Sequence, residues 1–281
     1  MKKRITEKEL KEYSEYLYKE EKTKSTIDKY IRDLRKLMDY AGEQELTKEV
    51  VIAYKTYLQE EKHFKISSMN SYLVAANRFF EYKGWHELRV KTYKVQRETY
   101  VSEKKELTKQ EYDKLLKAAK DKGKMRLYMA ILTICSTGIR VGELKFITVK
   151  AVEQGEATVY NKAKERKILL SRDLQVKLLQ YIRTNKIREG EVFRTSTGKT
   201  LNRSYIWREM QKLSEEAGVD KKKVFPHNLR HLFAKTYYNL HKDIAKLADF
   251  LGHSNIETTR FYIKTTCNEC RRQLDEMGLV C

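Results

Sequence analysis

The side chains best suited to chemistry are gathered between Pro226 and Tyr262, as Pro226-His227-Asn228-Leu229-Arg230, Leu251-Gly252-His253-Ser254 and Phe261-Tyr262. The chain's only proline stands directly before the first histidine. Proline is tolerated as a first helical residue and biases its predecessor away from helix, so Pro226 marks a helix start. His227 and Arg230 then share one face of that helix. An imidazole beside a guanidinium is a poor core pair, but it suits an anion such as a phosphate. Upstream, Ser136–Leu144 supplies a second piece. Gly138 permits a tight turn, Arg140 stands where a new helix would begin, and Glu143 is placed to hold the guanidinium. Taken alone, that arginine and glutamate read as a structural ion pair.

Helices must carry these groups, and the chain is patterned for them. In residues 1–98, Thr6-x-x-Glu9 is a capping box before the apolar positions Leu10, Tyr13 and Leu17. After a break at Thr23–Thr26, Ile27, Tyr30, Ile31, Leu34 and Leu37 mark a second helix. A third is expected near Val50–Leu58 and a fourth from about Ser67 to Tyr82. This four-helix domain offers Lys22, Lys24, Ser25, Lys65, Ser67, Asn70 and Arg78 as expected contacts to a nucleic-acid backbone. The charged stretch Lys91–Lys105 has no glycine and no clear period, and within it the basic linker is set at 99–106. Thr108-x-x-Glu111, a second capping box, opens the remaining domain, 107–281. There Leu127–Cys135 should be a buried helix. Three antiparallel strands are expected at Phe146–Val149, Ala157–Tyr160 and Lys167–Leu170, with Asn161–Arg166 as the last turn. Helical patterns return from Arg172. The fold class is therefore mainly α with one small three-stranded sheet.

Composition narrows the partner. The 281 residues carry 59 basic and 39 acidic side chains, a net charge of +20. Residues 1–100 hold 22 and 17 of these, and residues 101–281 hold 37 and 22, so the second part carries most of the excess. Such a balance points to a polyanion, most commonly nucleic acid. Four cysteines and no signal-peptide pattern point to a reducing cytoplasm. Cys267-x-x-Cys270 lacks the second pair or nearby histidines that zinc would want, and reads as two incidental thiols. No apolar run approaches the ~20 residues that span a bilayer, so no membrane partner is expected.

Gly-Ile-Arg-Val-Gly-Glu-Leu at 138–144, Pro-His-Asn-Leu-Arg-His at 226–231 and Leu-Gly-His-Ser at 251–254, with Tyr262 nine residues after His253, resemble the tyrosine recombinase (phage integrase) family. The likeness is to its short, Xer-like, two-domain members and spans nearly the whole chain. It implies a SAM-like core-binding domain followed by a catalytic domain. In this family a tyrosine attacks a DNA phosphodiester to leave a 3′-phosphotyrosine and a free 5′-hydroxyl. The resemblance assigns the nucleophile to Tyr262, the phosphate-binding arginines to Arg140 and Arg230, a phosphate hydrogen bond to His253 and proton transfer to His227. A phenol ordinarily ionises near pH ~10, so such a nucleophile needs that help. The general-acid lysine belongs on the β-turn. The family commonly shows Gly-Lys-Gly-x-Lys-x-Arg there, whereas this chain has Asn161-Lys162-Ala163-Lys164-Glu165-Arg166. The turn lacks both glycines and is one residue shorter; Lys162 is the choice and Lys164 the alternative. His231 is expected to be structural.

The resemblance further implies double-stranded recombination sites as substrate, a tetramer on DNA and no cofactor, metal or ATP. The charged tail segment Asn268–Met277 would dock on a neighbouring protomer or on its own domain. A topoisomerase-like or resolvase enzyme would use overlapping residues. A non-catalytic DNA-binding protein of the same fold is disfavoured, because every reacting position holds a competent side chain.

Overall fold

The computed structural model describes residues 3–60, 62–94, 106–161, 164–195, 197–262, 271–272 and 275–278. It divides into two compact units, residues 1–97 and 98–281. The first is built from α1 (Glu7–Lys19), α2 (Lys24–Ala41), α3 (Lys48–Glu60) and α4 (Ile66–Lys83). The Thr6 capping box forms as the sequence requires, with Glu9 N–H donating to the Thr6 hydroxyl and Thr6 N–H to the Glu9 carboxylate. Thr23 is the residue before α2, and Lys24–Thr26, expected as part of the break, form the first turn of the helix. The apolar stripes converge on a core of Leu10, Tyr13, Leu34, Tyr54, Leu73, Phe79 and Phe80. Edge-to-face packing of Tyr13 on Phe79, at 5.2 Å, adds to what area burial alone contributes. Most of the linker assigned to 99–106 lies outside the described residues.

The second unit contains α5 (Lys109–Asp121), α6 (Met125–Thr137), α7 (Val149–Gln154), β1 (Glu156–Asn161), β2 (Lys164–Leu169), α8 (Arg172–Thr184), α9 (Arg203–Glu216), α10 (Pro226–His241), α11 (Ile244–Leu251) and α12 (Ile256–Arg260). Among the described residues its sheet has two strands rather than the expected three. The segment 146–149 is not a strand. Phe146 closes a 3₁₀ turn (Val141–Phe146), and the Thr148 hydroxyl accepts the Ala151 N–H to start α7. An N-cap thereby outweighed the β-branched composition that suggested a strand. What survives is one bridge, Thr148 opposite Glu191. The strands β1 and β2 pair antiparallel from Glu156↔Leu169 to Asn161↔Lys164. The turn is therefore tighter than 161–166, with only Lys162 and Ala163 between the strands. Both residues lie outside the described set.

Two helix ends shape the site. Helix α6 closes on Gly138, whose φ of +66° is left-handed. A Cβ there would sit 2.4 Å from a Phe233 ring carbon, so only glycine lets α10 pack so close; α6 and α10 are packed neighbours. Helix α11 ends on Gly252 at φ +63°, with a Cβ position 2.6 Å from Arg166.

Candidate active site

Pro226 is the first residue of α10 and is preceded by extended Phe225, as the sequence predicts. Four residues on, Arg230 is 1% exposed. Burying a guanidinium is unfavourable unless its donors are satisfied. Here they meet carbonyls left over at helix ends: Nη1 donates to Gly138 at 2.6 Å and Nη2 to Leu251 at 2.6 Å. These acceptors lie at the C-termini of α6 and α11, where the helix dipole also favours a cation. The Arg230 Nε–H is buried with no partner. Burial and the nearby Arg140 pull its pKa down to about 10, which still leaves it charged at neutral pH.

Arg140 begins the 3₁₀ turn and is held by Glu143, as its spacing suggested. Its backbone N–H reaches Glu143 Oε2 at 2.8 Å and its Nη1 reaches Oε1 at 3.1 Å. Arg166 shares the same carboxylate and also donates to the Phe250 carbonyl. Three guanidiniums thus gather around one buried carboxylate and the C-terminus of α11. Sequence reading placed Arg166 in a turn and gave it no role. It lies on β2 opposite Val159, on the face that buries Ile168. That alternation was the signal available. Burial lowers the pKa of Arg166, while Glu143 opposes the shift. A cleft of 790 Å³ opens beside this cluster, lined by Arg140, Arg166, Lys167, Phe250, His253 and Ser254 among others.

His253 follows Gly252 and points into the cluster. Its Nε2 is 2.9 Å from Arg230 Nη2 and its Nδ1 is 2.9 Å from the Thr259 hydroxyl. Burial, then the charges of Arg230, Arg140 and Arg166, push its pKa down to about 4. Tyr262 is 6% exposed, and its hydroxyl lies 3.3 Å from His227 Nε2. Its ring is flanked by His227, His231 and His253 at 5.6, 5.2 and 5.5 Å, with the Arg230 guanidinium at 6.0 Å. Partial burial, then the charge of Arg230, lowers the pKa of His227 and favours the neutral ring. The Tyr262 N–H donates to the Thr259 carbonyl at 2.9 Å, which fixes the turn after α12. His231 contacts the Tyr262 ring and hydrogen-bonds the Phe261 backbone. By contrast, Tyr237 and Tyr238 pack beside α11; the Tyr237 ring meets Phe250 edge-on at 5.2 Å.

Arg140, His227, Arg230, His253 and Tyr262, distant in sequence, are therefore brought into one place. Lys162 lies outside the described residues, as do Cys267, Cys270 and half of the tail 268–277. The seven residues expected to meet a DNA backbone form no single patch. Lys22 and Arg78 line one cleft with Tyr16, Tyr30 and Tyr82. Lys24 and Ser25 open α2, whereas Lys65 and Ser67 lie at the opposite end of α4, about 20 Å from Arg78 at 1.5 Å per helical residue. Asn70 is otherwise engaged: its amide bonds both the N–H and the carbonyl of Tyr93, each at 2.8 Å.

Comparison with known proteins agrees with this geometry. Residues 105–269 match the family model described as "Phage integrase family", over more than half of the chain. The chain belongs to the phage integrase family. Residues 10–87 match the N-terminal SAM-like domain found in phage integrases. Tyrosine recombinase XerA of Pyrococcus furiosus is 28% identical over 280 residues, covering 96% of this chain and 94% of that protein. Tyrosine recombinase XerD of Vibrio cholerae is 27% identical, covering 85% of each. Among solved structures, a lambda integrase (75–356) dimer bound to a COC′ core site superposes with a TM-score of 0.73 at 17% identity, covering 92% of this chain and 95% of that one. XerH bound to its difH substrate in a pre-cleavage complex gives 0.68 at 19% identity, covering 91% and 80%. The fold of this integrase-family chain is thus that of recombinases solved on DNA.

Proposed function

We propose that this chain is a site-specific DNA recombinase that cuts and rejoins strands through Tyr262. The observation that carries the reading is the position of the Tyr262 hydroxyl, 3.3 Å from His227 Nε2 and beside the buried Arg230. Neutral His227 accepts the phenolic proton as the Tyr262 oxygen bonds to phosphorus. The bond from phosphorus to the 5′-oxygen breaks, and that oxygen takes a proton from a turn lysine, assigned to Lys162. The 5′-hydroxyl of a partner strand then attacks the phosphotyrosine and gives its proton to the lysine, while His227 returns the phenolic proton to the departing Tyr262 oxygen.

Charge accumulates on the non-bridging oxygens during each transfer. Arg140 and Arg230 stabilise it, and Arg230's unpartnered Nε–H is a donor already free of water. Fixed guanidiniums supply the positive charge that a divalent ion provides in other phosphoryl-transfer sites, so the reaction should run in EDTA. In the first unit Lys22, Lys24, Ser25, Lys65, Ser67 and Arg78 contact phosphates, while Asn70 holds the segment around Tyr93. The substrate is a pair of double-stranded sites, exchanged within a tetramer, with the tail 268–277 joining protomers. The cell compartment is the cytoplasm, at the nucleoid, of a prokaryote or a mobile element.

The test uses DNA sites recovered by binding to Tyr262→Phe, nicked so that the 5′ product is lost. Wild type should form a covalent protein–DNA adduct in EDTA, and Tyr262→Phe none. Equal adduct in both would remove Tyr262 as nucleophile. Relaxed supercoils without recombinants on paired sites would turn the assignment towards a topoisomerase.

A further inference from the structure

The hydrogen bonds around His253 assign a tautomer, and that tautomer is the wrong one for its proposed contact. A guanidinium has donors and no acceptor, so Arg230 Nη2, at 2.9 Å, must donate to His253 Nε2. A neutral ring with Nε2 accepting carries its proton on Nδ1, which then donates to the Thr259 hydroxyl at 2.9 Å. A DNA phosphate oxygen can only accept. To bind it through Nε2, the proton must sit on Nε2 and Nδ1 must itself accept.

We infer that Thr259 is a positioning residue whose hydroxyl reverses its hydrogen bond, so that His253 exchanges tautomers when a phosphate enters; this rests on the recombinase reading of the site. A hydroxyl is the group for the task, because it donates or accepts by rotating about one bond. Thr259 is fully buried, so bulk water does not compete for that position. In the exchange the half-buried ring turns out of the closed site to meet water, where Nδ1 gives up its proton and Nε2 takes one, so the ring stays neutral and the proton count is unchanged. The Thr259 O–H then donates to Nδ1, and Arg230 Nη2 is released towards the phosphate.

Protonating the ring instead would also place a proton on Nε2, but the surroundings disfavour a cation. Arg230 on α10, Arg140 on the 3₁₀ turn and Arg166 on β2 act on the imidazole, with His227 nearby and Glu143 as the counter-charge. A singly charged phosphodiester and Glu143 together do not cancel three guanidiniums. Thr259 also accepts the Tyr262 N–H through its backbone carbonyl, so the residue that sets the His253 tautomer also places Tyr262. A change to valine removes the hydroxyl and leaves that backbone bond.

The exchange is read by nitrogen NMR of the full chain labelled in its histidines, with His253 assigned by loss of its signals in His253→Asn. Orthovanadate at neutral pH serves as the phosphate probe. The free protein should show Nδ1 protonated and Nε2 bare, and vanadate should invert the pair. Thr259→Ser should behave as wild type. Thr259→Val, checked for folding by its thermal transition, should bind vanadate about tenfold more weakly, the scale of one hydrogen bond, and should not invert. A proton on Nε2 in the free protein overturns the inference. So does protonation of both nitrogens with vanadate, the absence of any inversion, or a valine variant that inverts normally. None of these readouts involves DNA. Inversion without covalent adduct would therefore sink the recombinase reading alone, and adduct without inversion would sink the tautomer exchange alone.

Discussion

The first unit packs Tyr13, Tyr54, Phe79 and Phe80 into a core whose buried charge, among the described residues, is Asp33. That carboxylate is met at 2.7 Å by Lys29 one helical turn away. The second unit buries Glu143 and Arg230, together with Thr133, Thr137, Ser214, Asn228 and Thr259. Both units are helical, yet they use their interiors differently. Apolar area can stabilise a fold wherever it is hidden, whereas a buried cation is tolerated only where fixed acceptors surround it. The second unit meets that condition by turning the C-termini of α6 and α11 onto three arginines. The result is a preorganised anion site with Arg230 buried and Arg140 at the mouth of the cleft, where fixed charges can stabilise a transition state. Sequence changes should therefore affect chemistry and stability together in the second unit, and mainly binding in the first.

Removing the Tyr262 hydroxyl tests this most sharply: Tyr262→Phe should abolish covalent adduct while DNA binding, measured by gel shift, holds. Arg230→Ala comes next. Strand cleavage should fall about 10²–10³-fold in single-turnover assays, as when an oxyanion donor is removed. The Gly138 carbonyl, left without Arg230, should also lower stability by about 1–3 kcal/mol, with a smaller loss at Leu251, whose carbonyl keeps Arg140 at 3.5 Å, both seen in urea unfolding of the second unit. Glu143→Gln leaves Arg140 and Arg166 without their shared carboxylate. It should destabilise that unit by about 3 kcal/mol, on the scale for a broken buried pair, with a smaller loss of cleavage than Arg230→Ala.

A pH series probes the same contrast more gently. The pKa of His253 is depressed from 6.5 to about 4, so the unfolded chain takes up a proton at higher pH than the folded one. Stability from this group is complete above the unfolded value and is lost as pH falls from 6.5 towards 4. The urea midpoint of the second unit should drop across that window, and His253→Asn should flatten the drop. The smallest effect is expected in the first unit. Lys22→Ala or Arg78→Ala should change stability by no more than about 0.5 kcal/mol. Either should weaken DNA binding several-fold and reduce the log–log salt slope by about 1. A large stability loss there, or none in Glu143→Gln, would erase the distinction between the units.

Much of the site was legible because local rules act over a few residues. Pro226 marked the start of α10, spacing placed His227 and Arg230 on one face, and Glu143 held Arg140 as three-residue separation allows. Gly138 announced the turn that closes α6. The strand expected at 146–149 went astray because a buried β-branched run does not distinguish a strand from a capped helix turn. Arg166 was hidden inside an overlong turn. Thr259 carried no signal at all, being one hydroxyl among several in the five-residue helix α12.

From the sequence alone came the four-helix first unit, the starts of α5 and α10 in the second, and the identities of the side chains that could meet a phosphate. All of these follow from periodicity and capping, whose forces act within a turn or two of chain. The tertiary structure decided how those side chains are satisfied. Arg230 finds its acceptors 92 and 21 residues away, and Glu143 joins Arg140 to an arginine 23 residues on. The same convergence places the proton on Nδ1 of His253, through Arg230 on one side and Thr259 on the other. Hydrogen-bond partners of buried polar groups are set by which chain ends meet in space, and no local pattern encodes that meeting.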